Sequence, residues 1–199
     1  MKLDEVLKEL GKEVDDQECE DQEEAIVTIK GLPKQNIINV IHSDITQLAV
    51  DAIVNPANSS LLGGGGCDGA IHFAAGSELL QECKTLNGCD KGEAKITKGY
   101  DLPAKYIIHT VGPIFGHENG NEKGILTSCY VNCFKLARKY KIKTIALPNI
   151  GTGCFKFPKD EAAEIAINVA RKYLDDFDKI IFVCFLEFDY NIYNSLIKQ

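Results

Sequence analysis

A chain of 199 residues, 45% hydrophobic and 26% charged, has the makeup of an ordinary globular protein, long enough for one α/β domain and short for two. A formal net charge of −7 speaks against a general nucleic-acid binder, which carries a basic patch, although backbone amides can still hold an anion. No apolar run approaches ~18 residues and the first residues, Met1-Lys-Leu-Asp-Glu5, lack the apolar core of a signal peptide, so neither a membrane span nor export is expected.

Residues 1–24 open with Leu3, Val6, Leu7 and Leu10 at helical spacing and run into an acidic stretch, Asp15 to Glu24. A peripheral helix and a solvated linker are expected there, with one domain over 25–199. From Ala25 strands alternate with helices. Ala25–Lys30 and Ile37–Ile41 read as strands on either side of Gly31-Leu-Pro33, and Ala52–Val54 as a short buried one. Helical spacing over 67–87, broken near Gly76, precedes strands at 94–99 and Tyr106–His109. An amphipathic helix over 124–140 ends in the basic Arg138-Lys139-Tyr140-Lys141. The strand Thr144–Leu147, a helix over about 159–175 behind Pro158, the strand Lys179–Cys184 and a helix Tyr190–Ile197 complete the chain. This alternation implies an α/β fold with a mixed, largely parallel sheet covered on both faces.

The eight cysteines, at 19, 67, 83, 89, 129, 133, 154 and 184, suggest free thiols in a reducing cytosol, and a cytoplasmic location is the expectation. They include no C-x-x-C pair, so no zinc or other metal site is expected, and no cofactor.

In such sheets ligands bind beyond the carboxyl ends of strands, and two glycine-bearing loops stand in that position. The first is Gly63-Gly-Gly-Gly66, which removes every Cβ over four residues and lets the backbone turn sharply and approach a ligand. Strand, glycine loop and helix start together offer backbone N–H groups and a positive dipole end to phosphate. Asp68 and His72, four apart, share a helical face. Taken alone the run is better read as a flexible loop, Asp68 as a helix cap and His72 as a core histidine, and no P-loop is present. The second loop, Gly151-Thr-Gly153 behind Thr144–Leu147, favours a binding site, because two backbone cradles suit a pyrophosphate between them. Asp44, at another strand end, suits an adenine amino group or simply a turn. Phe155, Phe157 and Phe185 suit packing on sugar or base, or in the core.

The stretches Ser43-Asp-Ile-Thr46, Val54-Asn-Pro-Ala-Asn58, Leu62-Gly-Gly-Gly-Gly-Cys-Asp-Gly-Ala-Ile-His72, His109-Thr-Val-Gly-Pro113, Ile150-Gly-Thr-Gly-Cys-Phe155 and Phe185-Leu-Glu-Phe-Asp189 resemble those of macrodomains, and among these the MacroD-type ADP-ribosyl hydrolases. The resemblance covers about residues 37–190, and the glycine run with Asp68 and His72 is its most specific part. It implies a three-layer α/β/α sandwich that holds ADP-ribose. Asp44 and Ile45 would recognise the adenine, with Phe185 stacked beside it. Gly64, Gly65, Gly66, Cys67 and Asp68 would hold the diphosphate from one side and Gly151, Thr152, Gly153, Cys154 and Phe155 from the other. Asn58 and Asp68 would face the distal ribose, His72 would orient Asp68, and Phe155 would pack over that ribose. Asn58, Asp68 and His72 are thus the implied catalytic residues.

The activity the resemblance implies is release of mono-ADP-ribose from modified acidic side chains and deacetylation of O-acetyl-ADP-ribose, by a water held between Asp68 and a phosphate oxygen. The implied partners are ADP-ribose and mono-ADP-ribosylated proteins, with no specific nucleic acid and no membrane, and a monomer is expected. A module that reads ADP-ribose without turnover is the competing class, and the trio Asn58, Asp68 and His72 favours the enzyme. Departures from the family pattern are Cys67 for a common Val, Phe73 for a frequent basic residue, Gly151 for a frequent Ser and Lys156 for a usual Gly.

Overall fold

Three apolar residues in a row, Ala52-Ile-Val54, cannot face water on alternate positions, so the strand they form has to be covered on both faces. In the computed structural model, which describes residues 37–198, β2 (Ala52–Ala57) is such an interior strand, with Ala52, Ile53 and Val54 all 0% exposed. The helix and acidic linker expected over 1–24 and the strand expected at Ala25–Lys30 lie outside the described residues.

Five further strands join it: β1 (Ile38–His42), β3 (Ala94–Lys98), β4 (Tyr106–Val111), β5 (Thr144–Leu147) and β6 (Lys179–Cys184). They form one sheet in the order β1-β6-β5-β2-β4-β3. All neighbours are parallel except β3, which runs antiparallel to β4 at the edge. Among the described residues five helices cover it: α1 (Gly66–Ala75), α2 (Ser77–Thr85), α3 (Glu122–Lys139), α4 (Lys159–Ala170) and α5 (Glu187–Ile197).

The two-residue period of the strands sorts their side chains between two cores. Ala52, Val54, Ile108 and Phe182 pack with Tyr130 and Phe134 of α3, Ala163 and Ala166 of α4 and Tyr193 of α5. Ile53, Ile107 and Val183, one position out of step, pack with Ile71 of α1 and with Leu79 and Cys83 of α2. The fold is therefore a three-layer α/β/α sandwich. Burying one such Leu, Ile or Phe contributes roughly 1.5–3 kcal/mol, so these two cores carry most of what holds the helices to the sheet.

The position of β2 and β5 places the site. They are adjacent and parallel, yet the loop after β2 leads to α1 on one face and the loop after β5 leads to α4 on the other. Diverging connections leave a crevice beyond the strand ends. Boundaries depart from the sequence expectation in a few places. β2 continues past Val54 to Ala57 because Asn55, a polar residue at a buried position, has partners for its amide. The break expected near Gly76 in the helical stretch over 67–87 is present, between α1 and α2, and the φ of +81° at Gly76 lies in the region glycine favours. The helix expected over 159–175 ends at Ala170 and passes into a 3-10 turn, Arg171–Tyr173. α5 starts at Glu187, three residues before the expected Tyr190.

Candidate functional site

The first glycine loop is organised by Asn58. Its Nδ2 donates to the Gly63 carbonyl at 2.9 Å, while its Oδ1 accepts from the Ser60 amide at 3.0 Å and the Ser60 hydroxyl at 2.6 Å. The loop then folds back on the start of α1. A Cβ on Gly69 would lie 2.5 Å from the Gly64 carbonyl oxygen, so helix and loop touch only because that Cβ is missing. α1 begins without a side-chain cap, which leaves its first-turn amides and the positive end of its dipole for an anion.

Asp68 sits in that first turn and is 5% exposed. Its Oδ1 accepts a 2.7 Å hydrogen bond from Asn55 Nδ2 in β2, and its Oδ2 lies 3.5 Å from Asn58 Nδ2. His72 Nε2 stands 3.6 Å from Asp68 Oδ1 and is buried without a hydrogen-bond partner. The orienting bond expected of His72 is made by Asn55.

Behind Asn55 lies His109 of β4, 0% exposed. Its Nδ1 is 3.1 Å from Asn55 Nδ2 and its Nε2 is 2.9 Å from Thr97 Oγ1 of β3. Burial, with a smaller contribution from His72, pushes the His109 pKa down to about 3, so the ring is neutral.

A cleft of about 580 Å³ opens beyond the ends of β1, β5 and β6. Of the residues singled out from sequence, Asp44, Ile45, Gly66, Cys67, Thr152, Gly153 and Phe185 line it. Asn58, Asp68 and His72 gather instead around Gly63 and Gly64, and Gly65, Gly151, Cys154 and Phe155 stand in the two loops outside the lining. Asp44 Oδ1 accepts from the Thr46 amide at 2.9 Å and the Thr46 hydroxyl at 2.8 Å, so it caps the 3-10 turn Ile45–Gln47 while facing the cleft. Phe185 is 78% exposed at the rim. Burial, then the charges of Asp68 and Asp44, push the Cys67 thiol up to about 12, which makes it a poor nucleophile.

The second loop is held by its own backbone. The Lys156 amide donates to the Gly153 carbonyl and the Phe157 amide to the Gly151 carbonyl, each at 3.0 Å. The Phe115 amide donates to the Phe155 carbonyl at 2.9 Å and Thr152 Oγ1 to the Asn149 carbonyl at 3.2 Å. Phe155 is half-buried, whereas Phe157 is a core residue.

The Macro domain family matches residues 54–166, the span that carries both loops, α1 and the buried polar chain. The chain belongs to the macro domain family. It is 53% identical over 167 residues to the ADP-ribose glycohydrolase MACROD2 of Homo sapiens, covering 81% of this chain and 39% of that protein. The chain thus spans about two fifths of the length of this human relative. It is 52% identical over 167 residues to a macro domain-containing protein of Chlorobaculum tepidum, covering 82% of this chain and 97% of that one. Among solved structures it is similar to a macrodomain of Oceanobacillus iheyensis with ADPR, at a TM-score of 0.78 and 40% identity, over 82% of this chain and 92% of that one.

Two features of this macro domain were not singled out from its sequence. One is the pair Asn55 and His109; the signal was a polar residue inside each of two apolar strands, Ala52-Ile-Val-Asn55 and Ile107-Ile-His109. The other is the far wall of the cleft, where Pro148, Asn149, Leu186 and Asp189 join the lining and Asp189 pairs with Lys159 Nζ at 2.7 Å. His72, Cys83 and His109 also bring three possible metal-ligand atoms within 4.8 Å of one another. His72 Nε2 has no hydrogen-bond partner, but the other two members are unsuited. His109 Nε2 is bonded to Thr97, and burial, then the charges of Glu82 and Asp68, push the Cys83 thiol up to about 11. The cluster therefore suits a hydrogen-bonded interior better than a metal centre.

Proposed function

We propose that this macro domain is an ADP-ribosyl hydrolase that removes mono-ADP-ribose from acidic side chains of proteins and deacetylates O-acetyl-ADP-ribose. The observation that carries the reading is Asp68: a buried carboxylate, fixed through Oδ1 by Asn55, beside an uncapped helix start and a four-glycine loop. A site for holding alone needs the amides and the cleft; it does not need a carboxylate fixed against the loop that would receive a phosphate. The relative named an ADP-ribose glycohydrolase supports the same activity here.

In this reading the adenosine lies in the cleft by Asp44, Ile45 and Phe185, and the diphosphate lies between Gly64–Asp68 and Gly151–Phe155. The distal ribose then comes to Asn58 and Asp68. The reaction is hydrolysis of an ester at that ribose: water adds, the ester bond breaks, and a free carboxylic acid and ADP-ribose leave. Asp68 holds the attacking water. Asp68 is fixed by Asn55, so holding the water in line contributes as much as removing its proton.

The experiment is incubation of the purified chain with a protein carrying mono-ADP-ribose on acidic side chains, following free ADP-ribose. Release that depends on Asp68 supports the hydrolase. Tight calorimetric binding of ADP-ribose without any release would replace it with the reader module.

A further inference from the structure

Asn55 has two amide hydrogens and uses both. One goes to Asp68 Oδ1 at 2.7 Å and the other to His109 Nδ1 at 3.1 Å. Its Oδ1 is buried and has no hydrogen-bond partner. The amide orientation is therefore dictated from its nitrogen side. Reversed, its oxygen would face a carboxylate oxygen and an imidazole lone pair, and two acceptor pairs would meet head on.

This arrangement needs a lone pair on His109 Nδ1, hence the proton on Nε2. Thr97 supplies the reason. Its hydroxyl donates to the Lys98 carbonyl at 3.2 Å, so its oxygen is left to accept from His109 Nε2–H at 2.9 Å. Thr97, His109, Asn55 and Asp68 are 2%, 0%, 0% and 5% exposed. Water therefore cannot substitute for any member at low cost. The chain of bonds crosses three strands, from β3 through β4 to β2, before it reaches α1.

We propose that His109 is a positioning residue for Asp68: as the Nε2–H tautomer held by Thr97, it accepts one amide hydrogen of Asn55 and so aims the other at the Asp68 carboxylate. The inference rests on the reading of Asp68 as the group that holds the attacking water. Burial supports it by keeping His109 neutral near pH 7, since a protonated ring would offer Asn55 a donor in place of an acceptor.

Four variants test it, with Asp68→Ala as the control for the underlying reading. In His109→Asn the side-chain oxygen stands close to the place of Nδ1 and keeps an acceptor for Asn55. In His109→Gln the amide nitrogen stands close to the place of Nε2 and keeps only the bond to Thr97. Thr97→Val removes the hydroxyl that selects the tautomer, and Thr97→Ser restores it. The readouts are kcat and KM for ADP-ribose release, calorimetric affinity for ADP-ribose, and melting temperature.

Misplacing Asp68 lowers kcat by roughly 10- to 100-fold in His109→Gln and Thr97→Val, with KM and affinity changed by less than about threefold. His109→Asn and Thr97→Ser recover most of that loss. The proposal is overturned if all four keep wild-type kcat, or if kcat follows melting temperature without regard to which bond is kept. Should the His109 variants fail to fold, the Thr97 pair decides alone, because Val and Ser both fit the space; equal rates overturn the proposal. Wild-type turnover in Asp68→Ala would reject the reading of Asp68 itself, whereas loss in Asp68→Ala with unchanged Thr97→Val rejects only the role of His109.

Discussion

A Cβ on Gly64 would stand 3.0 Å from Asp68 Oδ2 and 3.2 Å from Asn58 Nδ2. Both distances are tighter than most real Cβ contacts, so the added methyl group has to displace the carboxylate, the amide or the loop. Asp68 is held on its other oxygen by Asn55, so the strain passes into its aim. Gly64→Ala is expected to lower turnover by roughly 10-fold or more through misalignment. Melting temperature should change little, since Gly64 is exposed and outside both cores. Single-turnover ADP-ribose release beside a thermal melt checks it, and a variant with wild-type kcat would show that the loop yields instead.

Removing Asp68 and removing Asn58 have different consequences. Asp68→Ala takes away the carboxylate and leaves both backbone cradles, so turnover should fall by about 10²–10⁴-fold while affinity changes by less than about tenfold. Asn58 pins Gly63 and Ser60 as well as facing Asp68. Asn58→Ala therefore loosens the whole loop and should weaken binding and rate together. Parallel kinetics and calorimetry separate the two patterns.

The difference between those two residues shows what sequence could carry. The strand, loop and helix order around Asn58 and Asp68 was legible because glycine runs, apolar runs and helical spacing are local. So was the second loop behind Thr144–Leu147, beyond the carboxyl end of a strand; the adjacency of β2 and β5, which makes the crevice, was not. The partners of Asp68 were not legible in the same way. Asn55 is 13 residues from Asp68 and 54 from His109 along the chain, and only the pairing of β2 with β4, which sets Asn55 opposite His109, brings them together. His72, four residues along the same helix, was the visible candidate, and the fold leaves it at 3.6 Å. Register between strands is a tertiary result that a single sequence does not print.

Gly153 lines the cleft, and a Cβ there would meet nothing within 4 Å. A larger side chain should therefore leave the fold intact and project into the open space that a phosphate needs. Gly153→Val is expected to weaken ADP-ribose binding by about tenfold or more, a loss of roughly 1.4 kcal/mol or greater, with melting temperature unchanged in the absence of ligand. Calorimetric titration decides, and unchanged affinity would move the diphosphate away from this loop.

His109 makes acid stability testable. Its folded pKa is depressed from 6.5 to about 3, mainly by burial. Once unfolded, the ring takes up a proton below pH 6.5 that the folded protein refuses. Stability then rises with pH between about 3 and 6.5 and falls as the solution is acidified through that window, with a slope of up to about 1.4 kcal/mol per pH unit. His109→Asn removes this titration and should give a flatter curve over pH 5–6.5. Urea unfolding at several pH values checks it; parallel curves for the two proteins would mean that His109 is protonated in the fold.

Asp51 also loses stability on acidification, but for a different cause and in a lower window, and it stands at the far end of the sheet from the site. Its Oδ2 accepts from the Lys143 amide at 3.0 Å, the Thr144 amide at 2.9 Å and the Thr144 hydroxyl at 3.0 Å, and Oδ1 pairs with Lys105 Nζ at 2.7 Å. One carboxylate thus ties the start of β5 to the residue that precedes β2. Burial opposes the charge, but the bonds from Lys105, Thr144 and Lys143 outweigh it and bring the pKa from 3.8 down to about 2. A depressed carboxylate contributes stability that is fully present above its unfolded pKa and is lost as pH falls through the folded one. Asp51→Asn has one oxygen in place of two, so its NH2 meets either the two backbone amides or Lys105 Nζ, and the change should cost about 1–3 kcal/mol at pH 7. That gap should narrow as pH drops from 3.8 toward 2, where the wild-type carboxyl is itself protonated. Turnover at pH 7 should stay at the wild-type level below the melting transition, because the bonds lost are at the amino ends of the strands and the site is at their carboxyl ends. A gap that is the same at pH 7 and near pH 2 would show that the charge on Asp51 is not what joins β5 to the sheet.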